Sequence, residues 1–577
     1  MVERLYTQSS SEPLSSGNAS LRALRSPERI MQLSRLGSLH QSPLSFMRSL
    51  VRTMMRDQWH IERAIDRLDE RGFGWVLYHI TISEAVYSFI VISDEISDAA
   101  RNDRVIAEQW DATMALCMGA LTEDDVLLLK DAIRRQEAGR MNACVLILSR
   151  GNKSSRMFDY VVECLSRGEQ PSLQRFMEVG YLYRTTAVYG GGKFGMADWQ
   201  KIQKHCPEFA RPFAAEMFVC FMLRHFSSEQ AERLARYRNP KKAVPIDDDI
   251  KRYIGIGNST GLGMAPFLIR HPKLISHWVW VRELAIERAC AQPNVSQKRC
   301  VEVQHIVAKA RLHLMQSVVE DEAQSQKNSI MINELDQVSE VLQQYWQANT
   351  DWMALVQTSA QQWSIETQEI LMSILMEVEF DAIQDLEETM AVDESYELDP
   401  TMSLTDLVAL LRSHYAWALA FDYSSPETDY HFWYRSQEKM EPRLGRVGHD
   451  DGLDKALLLV IARDVQACLS RLESLTQSQP MSLTVGDFLL TEPEYRQLIA
   501  RVQTMAQSPM GEIRVNMADE HLRPMDLLRC KLSFFGVGKF DPKSAVWVRN
   551  TMFQGAPVVS DIGQPFVDDW YFPVVAA

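Results

Sequence analysis

The chain has 577 residues, of which 46% are hydrophobic, and this length exceeds what a single hydrophobic core supports. Its formal charge of −15 excludes a general attraction to nucleic acid or to an anionic membrane, so we expect neither as a partner. The nine cysteines form no CxxC pair, which is typical of a reducing compartment, and we expect a soluble cytoplasmic protein.

The first 50 residues contain twelve serines, six arginines and no lysine. This composition predicts a disordered tail over residues 1–45. Organelle transit peptides share the same composition, and that alternative stays open.

A long apolar stretch, GWVLYHITISEAVYSFIVI, occupies residues 74–92. His79 and Glu84 interrupt it, so we interpret it as a buried helix and not as a membrane span. It belongs to a predicted helical domain over residues 46–295 that contains two glycine-rich loops.

The next predicted segment is residues 296–400. No glycine or proline occurs between Pro293 and Pro400. Strands need turns that these residues supply, so the segment is predicted to form long helices. A heptad seam runs through it: Met331, Leu335, Val338, Leu342, Tyr345, Asn349, Trp352 and Val356. This seam indicates either a homo-oligomer through residues 331–356 or a helix packed inside its own bundle.

Ten acidic residues and no basic ones follow at positions 377–399, which is typical of a solvated helix face or of a docking surface for a basic partner.

The C-terminal region 401–577 mixes a helical pattern at 456–472 with a strand-like pattern at 545–553. The apolar C-terminus WYFPVVAA is expected to dock on the rest of the chain. These elements together predict a mainly α protein, a multi-helix bundle with glycine-rich loops and a smaller mixed α/β C-terminal part.

The first glycine-rich segment is GIGNSTGLGMAPF, residues 255–267. It lacks the Lys-Ser/Thr of a phosphate-binding Walker loop, and Thr260 replaces the third glycine of a dinucleotide fingerprint. It does match G-x-S-x-G, with Ser259 as a candidate nucleophile, although long helices follow where a hydrolase sheet would continue. Two alternatives stay open: an anion site made by backbone N–H groups, or glycines that permit close helix contact.

The second glycine-rich segment is YLYRTTAVYGGGKFGMADW, residues 181–199, in which Lys193 lies among four glycines. Consecutive glycines often mark a ligand that approaches the backbone, and a lysine there neutralises an anion. We expect both segments to face one pocket. The candidate catalytic residues are Lys193 and Ser259, and the candidate substrate-binding residues are Tyr183, Arg184, Gly191, Gly192, Gly257, Asn258, Thr260, Gly261 and Gly263.

A similar run, FFGVGKFDPKSAVWVRN at 534–550, repeats G-x-G-K-F as Gly536, Gly538, Lys539 and Phe540, a match that arises by chance in so long a chain. A di-iron bundle would need two E-x-x-H units, and only Glu302 to His305 is one, beside the related Asp57 to His60. No metal site is therefore predicted, and the sequence names no cofactor.

These patterns predict a metabolic enzyme that binds a small phosphate- or carboxylate-bearing molecule at the glycine-rich segments. The reaction class stays open, with a serine hydrolase or a di-metal oxidoreductase as minor alternatives. The rival hypothesis is a non-enzymatic helical scaffold that meets its partners through the heptad seam and the acidic run.

Overall fold

The computed structural model describes residues 25–38, 40–97, 109–185, 202, 204–261, 272–292, 295–348, 351–390, 395–425, 433–435, 442–444, 455–456, 461–478, 483–512, 524–544 and 547–575. Strands β1 to β12 are His60–Leu68, Gly74–Ile82, Ala85–Ser93, Ala112–Met118, Val145–Lys153, Tyr181–Thr185, Gly255–Gly261, Trp433–Arg435, Pro442–Leu444, Lys455–Ala456, Lys539–Ser544 and Trp547–Met552.

Helices α1 to α10 are Pro27–Ile30, Leu33–Leu36, Phe46–Arg56, Glu123–Arg134, Ala138–Met141, Phe158–Arg167, Leu173–Glu178, Ala214–Arg238, Asp248–Tyr253 and Pro272–Cys290. Helices α11 to α20 are Gln297–Met315, Glu322–Ala348, Trp352–Gln362, Ile365–Val378, Leu404–His414, Ala416–Leu419, Ile461–Ser478, Val485–Thr491, Arg496–Ala506 and Pro524–Phe535. Short 3₁₀ helices are Pro207–Phe209, Phe380–Ala382, Gln384–Thr389, Pro493–Tyr495 and Val559–Asp561.

A nine-stranded mixed sheet organises the N-terminal half, in the order β1-β2-β3-β4-β5-β6-β7-β12-β11. Neighbours are antiparallel except for β6 and β7, which run parallel. The long helix α8 packs on β4 to β7 on one side of this sheet. On the other side, α4 and α5 cover the inner strands and share a core with Ile90 and Ile92 of β3.

The predicted multi-helix bundle with a smaller α/β C-terminal part is therefore wrong, although helices account for 56% of the structure. The error is clearest at residues 74–92, which form the β2–β3 hairpin with Ser83 in the left-handed region at its turn. Because both faces of these strands are covered, their side chains are apolar almost without alternation. Such a run cannot be told from a buried helix by its period.

The prediction of long helices after Pro293 is confirmed by α11, α12, α13 and α14. The seam residues Met331, Leu335, Val338 and Leu342 are all at most 1% exposed, and the last three belong to the main core of the chain. Self-association through these side chains would therefore require α12 to leave its own core. No helix in the described part of the chain is long and apolar enough to cross a membrane.

The C-terminal region is divided between two cores. Helices α15 to α19 form a separate apolar cluster around Leu407, Val465 and Val502. The β11–β12 hairpin joins the N-terminal sheet instead, which confirms the strand expected within residues 545–553 but not a self-contained C-terminal α/β part. Trp570 and Phe572 are buried, so the C-terminus docks as expected.

Residues 25–45, which the sequence assigned to a tail, pack on the helices with Ile30, Met31 and Leu36 fully buried. Arginines of this segment meet glutamates of α14. Glu369 is fully buried and forms ion pairs with Arg25 at 2.7 Å, with Arg282 at 2.8 Å and with Arg35. Burial alone would raise the pKa of Glu369, but these three charges outweigh it and lower the pKa.

We expect Glu369→Gln to lower the free energy of unfolding by about 3–5 kcal/mol at pH 7, because it leaves buried arginine charges without their carboxylate. Urea unfolding measures the effect, with Glu340→Gln on the exposed face of α12 as control. A carboxylate whose pKa is lowered in the folded state stabilises the fold at pH values above its ordinary pKa of 4.5. The difference between the variant and the wild type should thus shrink below that pH, and a difference that stays constant would contradict the assignment.

Candidate functional site

The first glycine-rich segment is a strand and not a loop, because residues 255–261 form β7 inside the sheet. The second segment begins in β6, and the two strands are parallel neighbours with Tyr181 opposite Gly255 and Arg184 opposite Gly257. The described parts of the two segments thus lie side by side. Parallel neighbours also place their carboxyl ends at the same edge of the sheet.

Packing accounts for the first two glycines of β7. A Cβ atom at Gly257 would lie 2.4 Å from three ring atoms of Tyr181, and one at Gly255 would lie 2.5 Å from the carbonyl oxygen of Met552. Neither position has room for a side chain. The sequence left two alternatives for the glycines of this segment, an anion site or close contact between helices. At Gly255 and Gly257 the structure shows close contact, but between strands instead of helices.

Tyr183, Arg184 and Asn258 have different surroundings. Tyr183 is fully buried, and its hydroxyl donates a hydrogen bond to Gln230 of α8. Asn258 is also buried, and its Nδ2 donates to the carbonyl oxygen of Thr185 at 2.8 Å. Arg184 is half-buried at the end of β6. The first two side chains thus join β6 to α8 and to β7.

The remaining candidates divide between β7 and segments outside the described residues. Ser259, Thr260 and Gly261 pair with Arg549, Val548 and Trp547 of β12. A nucleophile elbow places its serine in the turn after a strand. Ser259 lies within the strand, so the structure does not show that geometry. Lys193, Gly191, Gly192 and Gly263 lie outside the described residues.

The neighbouring β11–β12 hairpin adds charged residues that the sequence did not single out. Arg549 lies opposite both Ser259 of β7 and Asp541 of β11. Asp541 is 4% exposed, and its Oδ2 lies 2.9 Å from Lys543 Nζ and 3.8 Å from Arg549 Nη1. Lys543 also forms an ion pair with Glu320 at 2.7 Å. We call Lys539, Asp541, Lys543 and Arg549 the hairpin charge cluster.

Lys539 is the unusual member of the hairpin charge cluster. It is 7% exposed, and its ammonium group makes no hydrogen bond or ion pair within the described part of the chain. Burial, together with the charges of Lys543 and Arg549, lowers its pKa to about 8 despite the nearby Asp541. The ammonium group is therefore still charged at neutral pH and lacks a counterion in direct contact.

Asp541 is only partly satisfied in this cluster. Its Oδ1 atom is buried and has no hydrogen-bond partner among the described residues. Burial raises the pKa of Asp541, although Lys543, Lys539 and Arg549 act in the opposite direction. Three cations face two carboxylates, Asp541 and Glu320, and the excess of one positive charge beside β7 suits an oxyanion.

A local signal for this cluster exists in the sequence. Lys539, Asp541 and Lys543 alternate with period two, which places all three on one face of a strand. Their proximity to Ser259 depends on the pairing of β12 with β7, and nearly 300 residues separate these strands in sequence. Only the fold shows that contact.

The residues of the two metal-binding sequence patterns, Glu302 to His305 and Asp57 to His60, do not come together in one site within the described ranges. Within the described ranges there is no group of three His, Cys, Asp or Glu side chains that could hold a metal ion. Glu302 forms ion pairs with Lys298 and Arg299, and Asp57 pairs with Arg56.

Comparisons with protein-family models, with curated proteins and with solved structures found no match for this chain.

We expect Gly257→Ala to destabilise the protein by about 1–3 kcal/mol, because its methyl group collides with the Tyr181 ring. Thermal unfolding measures the effect. Gly139→Ala is the control, since the nearest atom to a Cβ there is 4.0 Å away. The cost should be smaller in a Tyr181→Ala background. Equal costs in both backgrounds would show that the ring is not the obstacle.

We expect Lys539→Met to stabilise the protein by about 1–3 kcal/mol at pH 7 in phosphate-free buffer, because it removes a buried charge. Between about pH 8, the pKa of Lys539 in the folded chain, and pH 10.5, its ordinary pKa, the unfolded chain keeps the ammonium proton of Lys539 and the folded chain does not. Wild-type stability should therefore rise across that window relative to the variant. Lys298→Met, at a side chain 86% exposed, is the control. A destabilised variant whose stability follows the same pH dependence would contradict this expectation.

Proposed function

We propose that the protein is a soluble, cytoplasmic metabolic enzyme that binds a small phosphate- or carboxylate-bearing molecule beside β7. The observation that carries the proposal is the buried side chain of Lys539, whose ammonium group makes no hydrogen bond or ion pair within the described residues and lies near Lys543 and Arg549. An uncompensated buried cation is costly, and a bound anion removes that cost.

The three cations have two different proposed roles: one of them stabilises the site, and the other two bind the ligand. Lys543 is already committed to Asp541 and Glu320 at 2.9 Å and 2.7 Å. Arg549 lies 3.8 Å from Asp541, a distance that leaves its guanidinium donors for other acceptors. Lys539 and Arg549 are therefore the proposed ligand-binding pair, and Lys543 favours the ionised form of Asp541 beside them.

Residues of the glycine-rich segments complete this proposed site. Ser259 occupies the register position opposite Arg549, and it is therefore a proposed residue of this site. Lys193, Gly191, Gly192 and Gly263, which follow β6 and β7 in sequence and lie outside the described residues, remain proposed site residues, with Lys193 as a further cation and Ser259 or Thr260 as a hydrogen-bond donor.

Phosphate binding tests this function. Titration calorimetry with inorganic phosphate should show saturable binding to the wild-type protein, with roughly tenfold to hundredfold weaker binding to Lys539→Met and to Arg549→Met. Lys298→Met should bind like the wild type. Acetate in place of phosphate distinguishes a carboxylate site from a phosphate site.

The outcomes separate the parts of the proposal. Equal phosphate affinity in the wild type, Lys539→Met and Arg549→Met would overturn a site at the hairpin charge cluster. A loss of affinity in Lys193→Ala would add the second glycine-rich segment to the site, and unchanged affinity would remove that segment from it.

A further inference from the structure

Helix α11 is apolar on two opposite faces. Its inner face packs in the main core of the chain and contains Val303, Ile306, Val307 and Ala310. Its opposite face is exposed, is apolar except for one histidine and contains Val301, His305, Ala308, Leu312 and Met315. We call these five residues the outer face of α11. A helix that is apolar around most of its circumference is typical of a buried position, so the outer face of α11 is suited to contact with another molecule.

Exposed apolar side chains are concentrated on this helix. Val301 is 45% exposed, Leu312 40% and Met315 55%, and Val318 just beyond the end of α11 is 50% exposed. These are four of the twelve large apolar side chains that are exposed among the described residues. A single exposed apolar side chain is ordinary on a protein surface, whereas a contiguous group marks a contact with another molecule. Residues three and four apart on a helix are neighbours, so the group on α11 is contiguous.

The adjacent helix α12 shows the ordinary pattern of a surface helix. Its inner face is the buried heptad seam described above, and it packs against α11. The opposite face of α12 is exposed and polar, with Gln326, Asn333, Asp336, Gln337 and Glu340. Ile330 is the one exposed large apolar residue among the side chains of α12 that are described. Both helices contribute to the same core, so the apolar outer face is specific to α11.

The spacing of the outer face of α11 matches a second copy of the same helix. Its residues recur four, three, four and three positions apart, which is the heptad spacing of a helix pair. Ala308 lies at the centre, and Val301 and Met315 lie seven residues before and after it. In two antiparallel copies related by a two-fold axis at Ala308, Val301 of one copy meets Met315 of the other. His305 and Leu312 meet in the same way. The short side chain of Ala308 permits a close approach at the axis.

Cations beside the outer face of α11 have partners in their own chain. The Arg311 guanidinium forms an ion pair with Asp336 of α12 at 2.7 Å. The Lys309 ammonium group donates a hydrogen bond to the carbonyl oxygen of Asp569 and lies 4.8 Å from the centre of the Tyr571 ring. Arg311 is thus neutralised, and Lys309 is directed toward the C-terminal segment. Both arrangements reduce the repulsion between two copies of α11.

The two ends of the outer face of α11 carry opposite charges. At its start, Lys298 is 86% exposed and forms a 3.7 Å ion pair with Glu302 of its own helix. Beyond its end, Glu320 is 61% exposed, and Glu322 is exposed as well. An antiparallel arrangement brings the basic start of one helix near the acidic residues that follow the other helix. It also places the helix ends with opposite partial charges side by side. Charge complementarity therefore favours a second copy of α11 in this direction.

We propose that the protein forms a two-fold symmetric dimer in which the outer faces of two α11 helices pack antiparallel, with Ala308 at the axis. The outer face is about 21 Å long, at 1.5 Å for each residue. A helix pair of this length buries less surface than a permanent dimer, so we expect a reversible dimer with a dissociation constant of roughly 10–100 µM. This contact does not involve the hairpin charge cluster, and the proposal is independent of the anion site.

Substitutions at Ala308 test both the contact and its symmetry. Sedimentation velocity of the full-length protein between about 1 and 200 µM should show a monomer–dimer equilibrium for the wild type. Ala308→Glu and Ala308→Lys should each be monomeric over this range, because two like charges then face each other across the axis. An equimolar mixture of these two variants should dimerise again, since opposite charges then meet at the axis.

Further variants serve as controls. Leu128→Glu introduces the same charge at an apolar side chain of α4 that is 77% exposed, and it should leave the equilibrium unchanged. His305→Leu should tighten the dimer roughly tenfold or more, because it makes the outer face of α11 fully apolar. Lys539→Met should dimerise like the wild type, which keeps this result distinct from the test of phosphate binding. A wild type that stays monomeric, an Ala308→Glu variant that still dimerises, or a mixture that stays monomeric would overturn the proposal.

Discussion

The buried guanidinium of Arg224 joins the segment before β7 to the segment after β12, the two strands beside the proposed anion site. It donates hydrogen bonds to the carbonyl oxygens of Lys251, Arg252 and Ile254 before β7, and to those of Ala556 and Pro557 after β12. Unsatisfied buried carbonyl groups are costly, and five of them share this one cation. Burial lowers the pKa of Arg224 to about 9, so the group remains charged at neutral pH. Arg224 thus anchors the start of β7 and the end of β12, and with them the β11–β12 hairpin.

A second set of buried charges holds the N-terminal segment in place. Arg25 and Arg35 meet Glu369, whereas Arg48 meets Glu377 at 2.9 Å and Asp568 at 2.8 Å. The acidic run at 377–399 therefore contains carboxylates that serve the chain itself. A basic partner for this part of the run is present within the molecule, on α3, which directly follows the predicted tail of residues 1–45.

The sequence predicted those features whose cause is local. The absence of glycine and proline between Pro293 and Pro400 is a property of consecutive residues, and the long helices α11 to α14 are present. The sheet was missed because its strands are buried on both faces, so that residues 74–92 show no period of two. The pairing of β7 with β12 joins residues nearly 300 positions apart, and no local pattern records it. The glycines of β7 were conspicuous in sequence, yet the Tyr181 ring explains Gly257, and the cations beside it become visible only in the assembled sheet.

Among the described strands, β11 forms one edge of the nine-stranded sheet. An exposed edge offers unpaired backbone groups to a strand of another molecule, which is a common route to aggregation. Pro542 has no N–H group to donate, and the register is irregular between Pro542 and Ser544. At the opposite edge, β1 carries His60, Glu62, Arg63, Asp66 and Arg67, with a bulge between Arg63 and Ile65. At both described edges of this sheet, the residue types and the irregular register thus disfavour the pairing of a tenth strand.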